Sequence, residues 1–243
     1  MLFRSADAAA AVRLGLLMVK GLSKACAERI VHTRAQHVFT SVEELMHRAQ
    51  LNRHELKCLA ASDALSGIAG HRRRAYWKVA GVETAAHLLS ESPIEESEAQ
   101  LRAPSEGDGL VADYASLGLT LGRHPLALLR SRLRRMQLAA AAEVRRLPHG
   151  SSVHTAGMVI GRQRPDTASG VVFVTLEDET GCVNVIVWRD LGERQRRELL
   201  GAQLMAVQGS VEREGEVVHV IAKRLADHSE LLGRLATRSR DFH

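Results

Sequence analysis

Cysteine, lysine and aromatic residues are all scarce in this chain. Its three cysteines (Cys26, Cys58 and Cys182) stand far apart without a Cys-x-x-Cys pair. That excludes a disulfide framework and a cysteine-based zinc site, and makes a reducing cytoplasm the expected compartment. Aromatic residues amount to 3% of 243, so any surface for stacking planar groups is sparse. No apolar run approaches membrane-spanning length, Met1-Leu2-Phe3-Arg4 does not open a signal peptide, and no membrane partner is expected. Walker-type and dinucleotide-type glycine loops are absent. The histidines are scattered, with His32 and His37 five apart and His47 and His54 seven apart. No Glu or Cys complements them at zinc spacing, so no metal site is expected.

What is present is arginine. The formal net charge is +5, and only Lys20, Lys24, Lys57, Lys78 and Lys223 are lysines. Guanidinium forks suit phosphate and the faces of bases better than ammonium groups do, although a GC-rich genome also favours arginine codons. The length allows one large domain or two small ones. Up to Val82 the chain is basic. From Glu83 to Asp113 the sign flips, and Glu91, Glu95, Glu96, Glu98, Glu106 and Asp108 face only Arg102 amid Ser, Pro and Gly. Residues 91–112 are therefore predicted to be a solvated linker.

Residues 1–90 read as all helical. Leu14, Leu17 and Met18 share a helical face, Ala25, Ile30 and Val31 suggest a second helix, and Ser41/Glu44 and Asn52/Glu55 have capping-box spacing. Lys20-Gly21-Leu22-Ser23-Lys24 reads as a tight turn between two helices, with Gly21 supplying the φ freedom. A helix starting near Ser23 offers open N–H groups and a positive dipole end beside Lys20 and Lys24, a ready phosphate site; a plain αα-corner is the alternative. A weaker second hairpin is predicted near residues 61–67. Arg72, Arg73 and Arg74 follow it and could track a phosphate backbone, whereas Tyr76 and Trp77 read more readily as core or solvated face.

After the linker, residues 113–147 form a predicted bridging helical segment. His124-Pro125 opens a helix with Leu126, Leu129, Leu133 and Met136 at helical spacing and Arg130, Arg132, Arg134 and Arg135 on its other faces. Residues 148–228 hold two alternating β-branched runs around a polar turn, three further strand-like runs, and a polar helical segment at 191–200. Five strands with a helix between the third and fourth is the order of a Greek-key OB barrel, and residues 229–243 form a tail. Alternation turns Val172, Val174, Leu176, Val183, Val185 and Val187 inward and Phe173, Thr175, Asn184, Ile186 and Trp188 outward. Phe173 and Trp188 are the candidate stacking residues, and Arg162, Arg164 and Arg189 the candidate phosphate contacts. The aromatics could equally cover a barrel end or meet a partner protein. The acidic run Glu177-Asp178-Glu179 sits in a hairpin turn, where adjacent side chains cannot converge on one metal.

In their order along the chain, several segments resemble the tandem helix-hairpin-helix region of bacterial C-family DNA polymerases, the relatives of the polymerase III α subunit. They are Arg13-Leu14-Gly15-Leu16, Lys20-Gly21-Leu22, Leu51-Asn52-Arg53-His54-Glu55-Leu56, Ala64-Leu65 and His71-Arg72-Arg73. Asp113-Tyr114, Leu117-Gly118-Leu119 and His124-Pro125 are similar to that family's connector, and Leu176–Gly181 to the hairpin of its OB domain. Ser239-Arg240-Asp241-Phe242-His243 resembles the ending of the error-prone branch. The resemblance implies an α+β multidomain chain, an N-terminal all-α tandem helix-hairpin-helix domain followed by a five-stranded OB-fold β-barrel. It also implies the C-terminal, DNA-binding region of an error-prone polymerase acting in damage-induced mutagenesis and translesion synthesis, with duplex and single-stranded DNA as partners. Asp63 stands where the replicative relatives tend to have Gly. The best sliding-clamp peptide, Gln137-Leu138-Ala139-Ala140-Ala141, lacks bulky apolar residues at its end. Both departures fit the error-prone branch, and the resemblance to that branch implies a catalytically inactive Y-family partner, with indirect contact to the clamp.

That family adds nucleotides with carboxylates in an Asp-x-Asp arrangement around two Mg²⁺ ions. No Asp-x-Asp occurs in this chain, so it is expected to be non-catalytic and to hold no cofactor, with Mg²⁺ belonging to the catalytic domain elsewhere. Two other readings stay open. One is a protein-interaction adaptor of a mutasome or replisome, docking through the bridging-helix leucines and Leu231-Leu232-Gly233-Arg234-Leu235. The other is an accessory segment of a ligase or aminoacyl-tRNA synthetase, disfavoured by the domain order and the absence of Lys-x-Asp-Gly.

Overall fold

In the computed structural model, which describes residues 14–82, 100–165, 170–215, 217–235 and 240–242, the chain divides into two units, Met1–Leu121 and Gly122–His243. The first is helical throughout: a 3₁₀ turn (Leu16–Met18), then α1 (Lys24–Gln36), α2 (Val42–Ala49), α3 (Arg53–Ala61), α4 (Ser66–Ala69), α5 (Arg72–Gly81) and α6 (Glu106–Ser116). Side chains cap the starts of α1, α2, α3, α5 and α6. Ser41 Oγ accepts from the Glu44 amide at 3.1 Å, and Asn52 and Glu55 exchange both bonds of a capping box at 2.9 Å. Each satisfies amides that a helix start leaves open. Cys26, Ile30, Val42, Leu45, Leu56, Leu59, Ala75 and Val79 form the core.

Two expectations change in this unit. Ahead of the Gly21 turn the described residues form a single 3₁₀ turn rather than an α-helix, residues 1–13 lying outside the description. The predicted linker 91–112 ends in α6, because Ser105 caps that helix by accepting from the Asp108 amide at 3.2 Å. Glu106 and Asp108 thus occupy its first turn, where negative charge suits the dipole. Residues 91–99 lie outside the description.

The second unit begins with α7 (Pro125–Arg135) and α8 (Ala141–Val144), which sit against the barrel strands. The barrel comprises β1 (Ser152–Gln163), β2 (Val172–Asp178), β3 (Gly181–Val187), β4 (Leu204–Glu214) and β5 (Val217–Asp227). Its sheet order is β2-β3-β5-β4-β1, and the additional β1–β2 pairing closes it. Val174, Leu176, Val183, Val185 and Val187 are buried inside, as alternation predicts. The sequence suggests one helix between β3 and β4. The structure has two short ones, α9 (Arg189–Arg194) and α10 (Arg196–Gly201), broken at Gln195. The Gln195 amide grips the backbone of Leu225 on β5 with two 2.8 Å bonds. The β4–β5 pairing shifts between Gln208 and Gly209, with Lys223 as the extra residue on β5, and a Cβ at Gly209 would run into the Ile221 carbonyl. Within the predicted tail, Ser229–Leu232 form a 3₁₀ turn and Arg240–Phe242 form a short strand, β6, parallel to β1.

Candidate nucleic-acid interface

The first hairpin is built around Gly21. Its φ is +84°, a conformation that glycine adopts without penalty. A Cβ there would also press to 3.0 Å from Cys58 Sγ on α3. Ser23 is the N-cap of α1, and its Oγ accepts from the Cys26 amide at 3.1 Å. The amides of Lys24 and Ala25 take no partner among the described residues and open the helix end to an anion. Lys24 reaches only Glu28, at 3.8 Å, and both side chains are highly exposed. Gly21, Ser23 and Lys24 therefore stand together as the sequence suggests.

Lys20 departs from expectation. Its ammonium donates to the carbonyls of Tyr114 and Ala115 at 3.1 and 2.9 Å, and its amide donates to the Ser116 carbonyl at 2.9 Å. It caps the C-terminal end of α6, where a cation satisfies open carbonyls and the dipole. Phosphate would have to compete with these bonds.

The arginine triplet is likewise drawn inward. Arg72 is 8% exposed, pairs with Asp113 at 2.5 Å and donates to the Gly109 carbonyl, so it braces α5 to α6 and is corrected from phosphate contact to internal tie. Arg73 pairs with Asp108 at 3.3 Å and donates to the Arg102 carbonyl. Arg74 is half-buried, its guanidinium folded back over Gly70. Asp63 has φ +58°, the left-handed turn position that glycine fills with least strain. Burial raises its carboxyl pKa, with Arg72 opposing and Asp113 reinforcing the shift. Trp77 is 56% exposed, against its reading as core, and Tyr76 is exposed beside it.

On the barrel, Trp188 is 55% exposed just before α9, and Phe173 lies half-buried on the outer face opposite Ile186. β5 runs parallel to β3 and places Ile221 beside Ile186, and His219 beside Asn184. The outer face thus carries an apolar row, Phe173–Ile186–Ile221, next to a polar row, Thr175–Asn184–His219. Ile221 and His219 were missed as site residues, although the alternation of Val217, His219 and Ile221 against Val218, Val220 and Ala222 carries the signal. Arg164 is exposed at the edge. Arg189 packs its stem over Gly170 and donates to Glu193 at 2.8 Å, which raises its pKa; both side chains lie in solvent.

Arg162 is turned inward and is not a surface phosphate contact. It is 7% exposed and donates to the carbonyls of Leu199 and Ala202 at 2.6 and 2.5 Å, closing the end of α10. The acidic turn is architecture. Arg130 of α7 donates to Glu179 at 2.5 and 2.8 Å and to Asp178 at 2.9 Å. Asp178 also accepts from the amides of Ala141 and Thr180. Burial opposes ionisation of Glu179, but the Arg130 guanidinium outweighs it and holds the pKa below the usual range. Among the described residues no three His, Cys, Asp or Glu side chains gather as metal ligands.

The clamp-peptide candidate is also locked in place. Leu138 is buried, the Ala139 amide donates to the His154 carbonyl at 2.8 Å, and Thr155 Oγ1 donates back to the Ala139 carbonyl. Residues 137–141 are fastened along β1 and are not an extended peptide.

Comparison with known proteins agrees with this architecture. Residues 3–75 match the helix-hairpin-helix motif and residues 153–227 the OB-fold nucleic acid binding domain. The error-prone DNA polymerase of Alkalilimnicola ehrlichii is 52% identical over 98% of this chain and 23% of its own length. Those of Azoarcus sp. and Aromatoleum aromaticum are 54% and 52% identical over 96% and 98% of this chain, and 22% of theirs. Among solved structures, asparaginyl-tRNA synthetase from Pyrococcus horikoshii aligns with 37% of this chain and 22% of its own at 21% identity, with a TM-score of 0.32. The chain spans less than a quarter of the curated relatives it matches, a share that fits a C-terminal region. It is thus a homologue of one region of the bacterial error-prone DNA polymerases, the region joining a helix-hairpin-helix motif to an OB-fold domain.

Proposed function

We propose that this chain is the DNA-binding region of an error-prone DNA polymerase serving damage-induced mutagenesis and translesion synthesis, and that nucleotide addition belongs to a catalytic part elsewhere, with its Mg²⁺ ions. The observation that carries the reading is the homology, along 98% of the chain, to one region of polymerases so named. The open amides at the start of α1, beside Lys24, take a duplex phosphate without reading sequence. The outer face of β2, β3 and β5, with Phe173 and Trp188, takes single-stranded template by stacking. The fastening of residues 137–141 to β1 supports contact with the sliding clamp through a catalytically inactive Y-family partner. The compartment is the cytoplasm.

The test is a titration of the chain with single-stranded and primed duplex DNA at two salt concentrations. Trp188→Ala is expected to weaken single-strand binding by about 1–3 kcal/mol. Lys24→Ala is expected to weaken duplex binding and to lower the salt slope by about one. Absence of DNA binding at low salt sinks the reading. The apolar row Phe173–Ile186–Ile221 would then favour the protein-interaction adaptor.

A further inference from the structure

The C-terminal turn of α7 carries three arginines whose side chains pair with no described residue. Residues 122–142 contain five arginines and no Asp or Glu. Arg130 is committed to Asp178 and Glu179, but Arg132, Arg134 and Arg135 are exposed and their side chains make no hydrogen bond or ion pair among the described residues. At 100° per residue, the buried stripe Leu126–Arg130–Leu133 faces the barrel and puts Arg132 and Arg135 on the opposite side. The helix is held from below by the Arg130 cluster, so these guanidinium groups project from a fixed base. The segment lies outside both matched domain models, which end at residue 75 and begin again at 153.

We infer that this turn is a second nucleic-acid contact, one that takes the phosphate backbone of DNA. Cations at a helix C-terminus complement the macrodipole, worth roughly 0.3–1 kcal/mol each at low salt. Three like charges within four residues also repel one another, and dipole complementarity does not require a third. Guanidinium forks match phosphate oxygens bidentately. The unit that holds them also carries the chain's excess charge, nineteen Lys and Arg against fourteen Asp and Glu in residues 122–243. The contact is sequence-independent and adds to affinity through counterion release. It rests on the DNA-binding reading above.

The test compares the full chain with Arg132→Gln/Arg134→Gln/Arg135→Gln and with the triple Arg→Lys variant, on single-stranded and duplex DNA between 50 and 200 mM salt. The expected result for the Gln variant is a 10- to 100-fold weaker affinity at low salt. Its slope of log K against log salt should be shallower by about 2.7 for duplex, three phosphate contacts at about 0.9 each, with the Lys variant retaining most of the slope. Wild-type affinity and slope in the Gln variant overturn the inference, and a lowered melting temperature alongside them assigns the arginines to the dipole instead. In that case, loss of binding in Lys24→Ala and Trp188→Ala leaves the DNA-binding reading standing. No DNA binding by the wild type overturns both. Tighter wild-type binding of a polyglutamate peptide than of DNA of equal charge moves the turn to an acidic protein partner and overturns the DNA assignment.

Discussion

Arg72-Arg73-Arg74 in the hairpin unit and Arg132, Arg134 and Arg135 in the barrel unit are two runs of three arginines with opposite fates. α6 brings Asp113 and Asp108 against the first run, and both carboxylates are taken up by it. No carboxylate among the described residues meets the second. The difference extends to the whole units: residues 1–121 hold fourteen Lys and Arg against fourteen Asp and Glu, while residues 122–243 hold nineteen against fourteen. In the hairpin unit Arg29 and Arg48 also meet carboxylates, Glu55 and Glu44. A basic run therefore marks a phosphate site only when the fold brings it no acid. Tertiary structure, not local charge density, decides that.

The comparison is broken most severely at the arginines that are used. Arg130→Ala leaves two carboxylates, Asp178 and Glu179, without their cation, and Asp178 is almost fully buried. Removing one partner of a buried pair costs about 3–5 kcal/mol, and the upper end is expected for the barrel unit in urea denaturation. Arg72→Ala is expected nearer the lower end of that range, because Thr120 still donates to Asp113 at 2.8 Å. If Arg72→Ala weakened DNA binding while the protein stayed folded, its assignment as an internal tie would be wrong. A milder change sharpens the hairpin side: Ser23→Ala removes the cap of α1 and is expected to cost about 1 kcal/mol. Ser23→Asn keeps an acceptor there and should restore most of it.

Much of this could be read in the sequence, and what could not has one physical origin. The caps at Ser23, Ser41 and Asn52, the alternation of Val172–Leu176 and Val183–Val187, and the turn at Gly21 are local rules obeyed locally. The end of the predicted linker differs because Glu106 and Asp108 have the composition of solvated acids, while Ser105 caps them into the first turn of α6. The internal bonds of Arg72, Arg162 and Lys20 are not legible locally because their partners lie at long range: Asp113 is 41 residues away, Ala202 is 40 and Ala115 is 95. Nothing in a short window reports a carbonyl or carboxylate so distant. The outer row of the barrel was half visible, since the parallel pairing of β3 with β5 that adds Ile221 and His219 is also a long-range fact.

The smallest expected effect separates the units by pH. His124 caps α7, its Nδ1 accepting from the Leu126 amide at 3.1 Å. Burial holds its pKa below the ordinary 6.5 against the pull of Glu177, Glu179 and Asp178. Protonation removes the acceptor. A depressed folded-state pKa means that this stability is present above about 6.5 and is lost as pH falls below it. In the hairpin unit, Glu44 is held down to about 2 by the Thr40 hydroxyl and amide and by Arg48. That contribution is present above 4.5 and is lost only as pH falls towards 2. Hydrogen exchange followed by peptide should therefore show the barrel unit weakening first, between pH 6.5 and 4.5, by no more than about 1 kcal/mol. His124→Asn, which caps without titrating, is expected to flatten that window and leave the hairpin unit's profile unchanged. Simultaneous weakening of both units above pH 4.5 would mean that the acid response does not originate at these two caps.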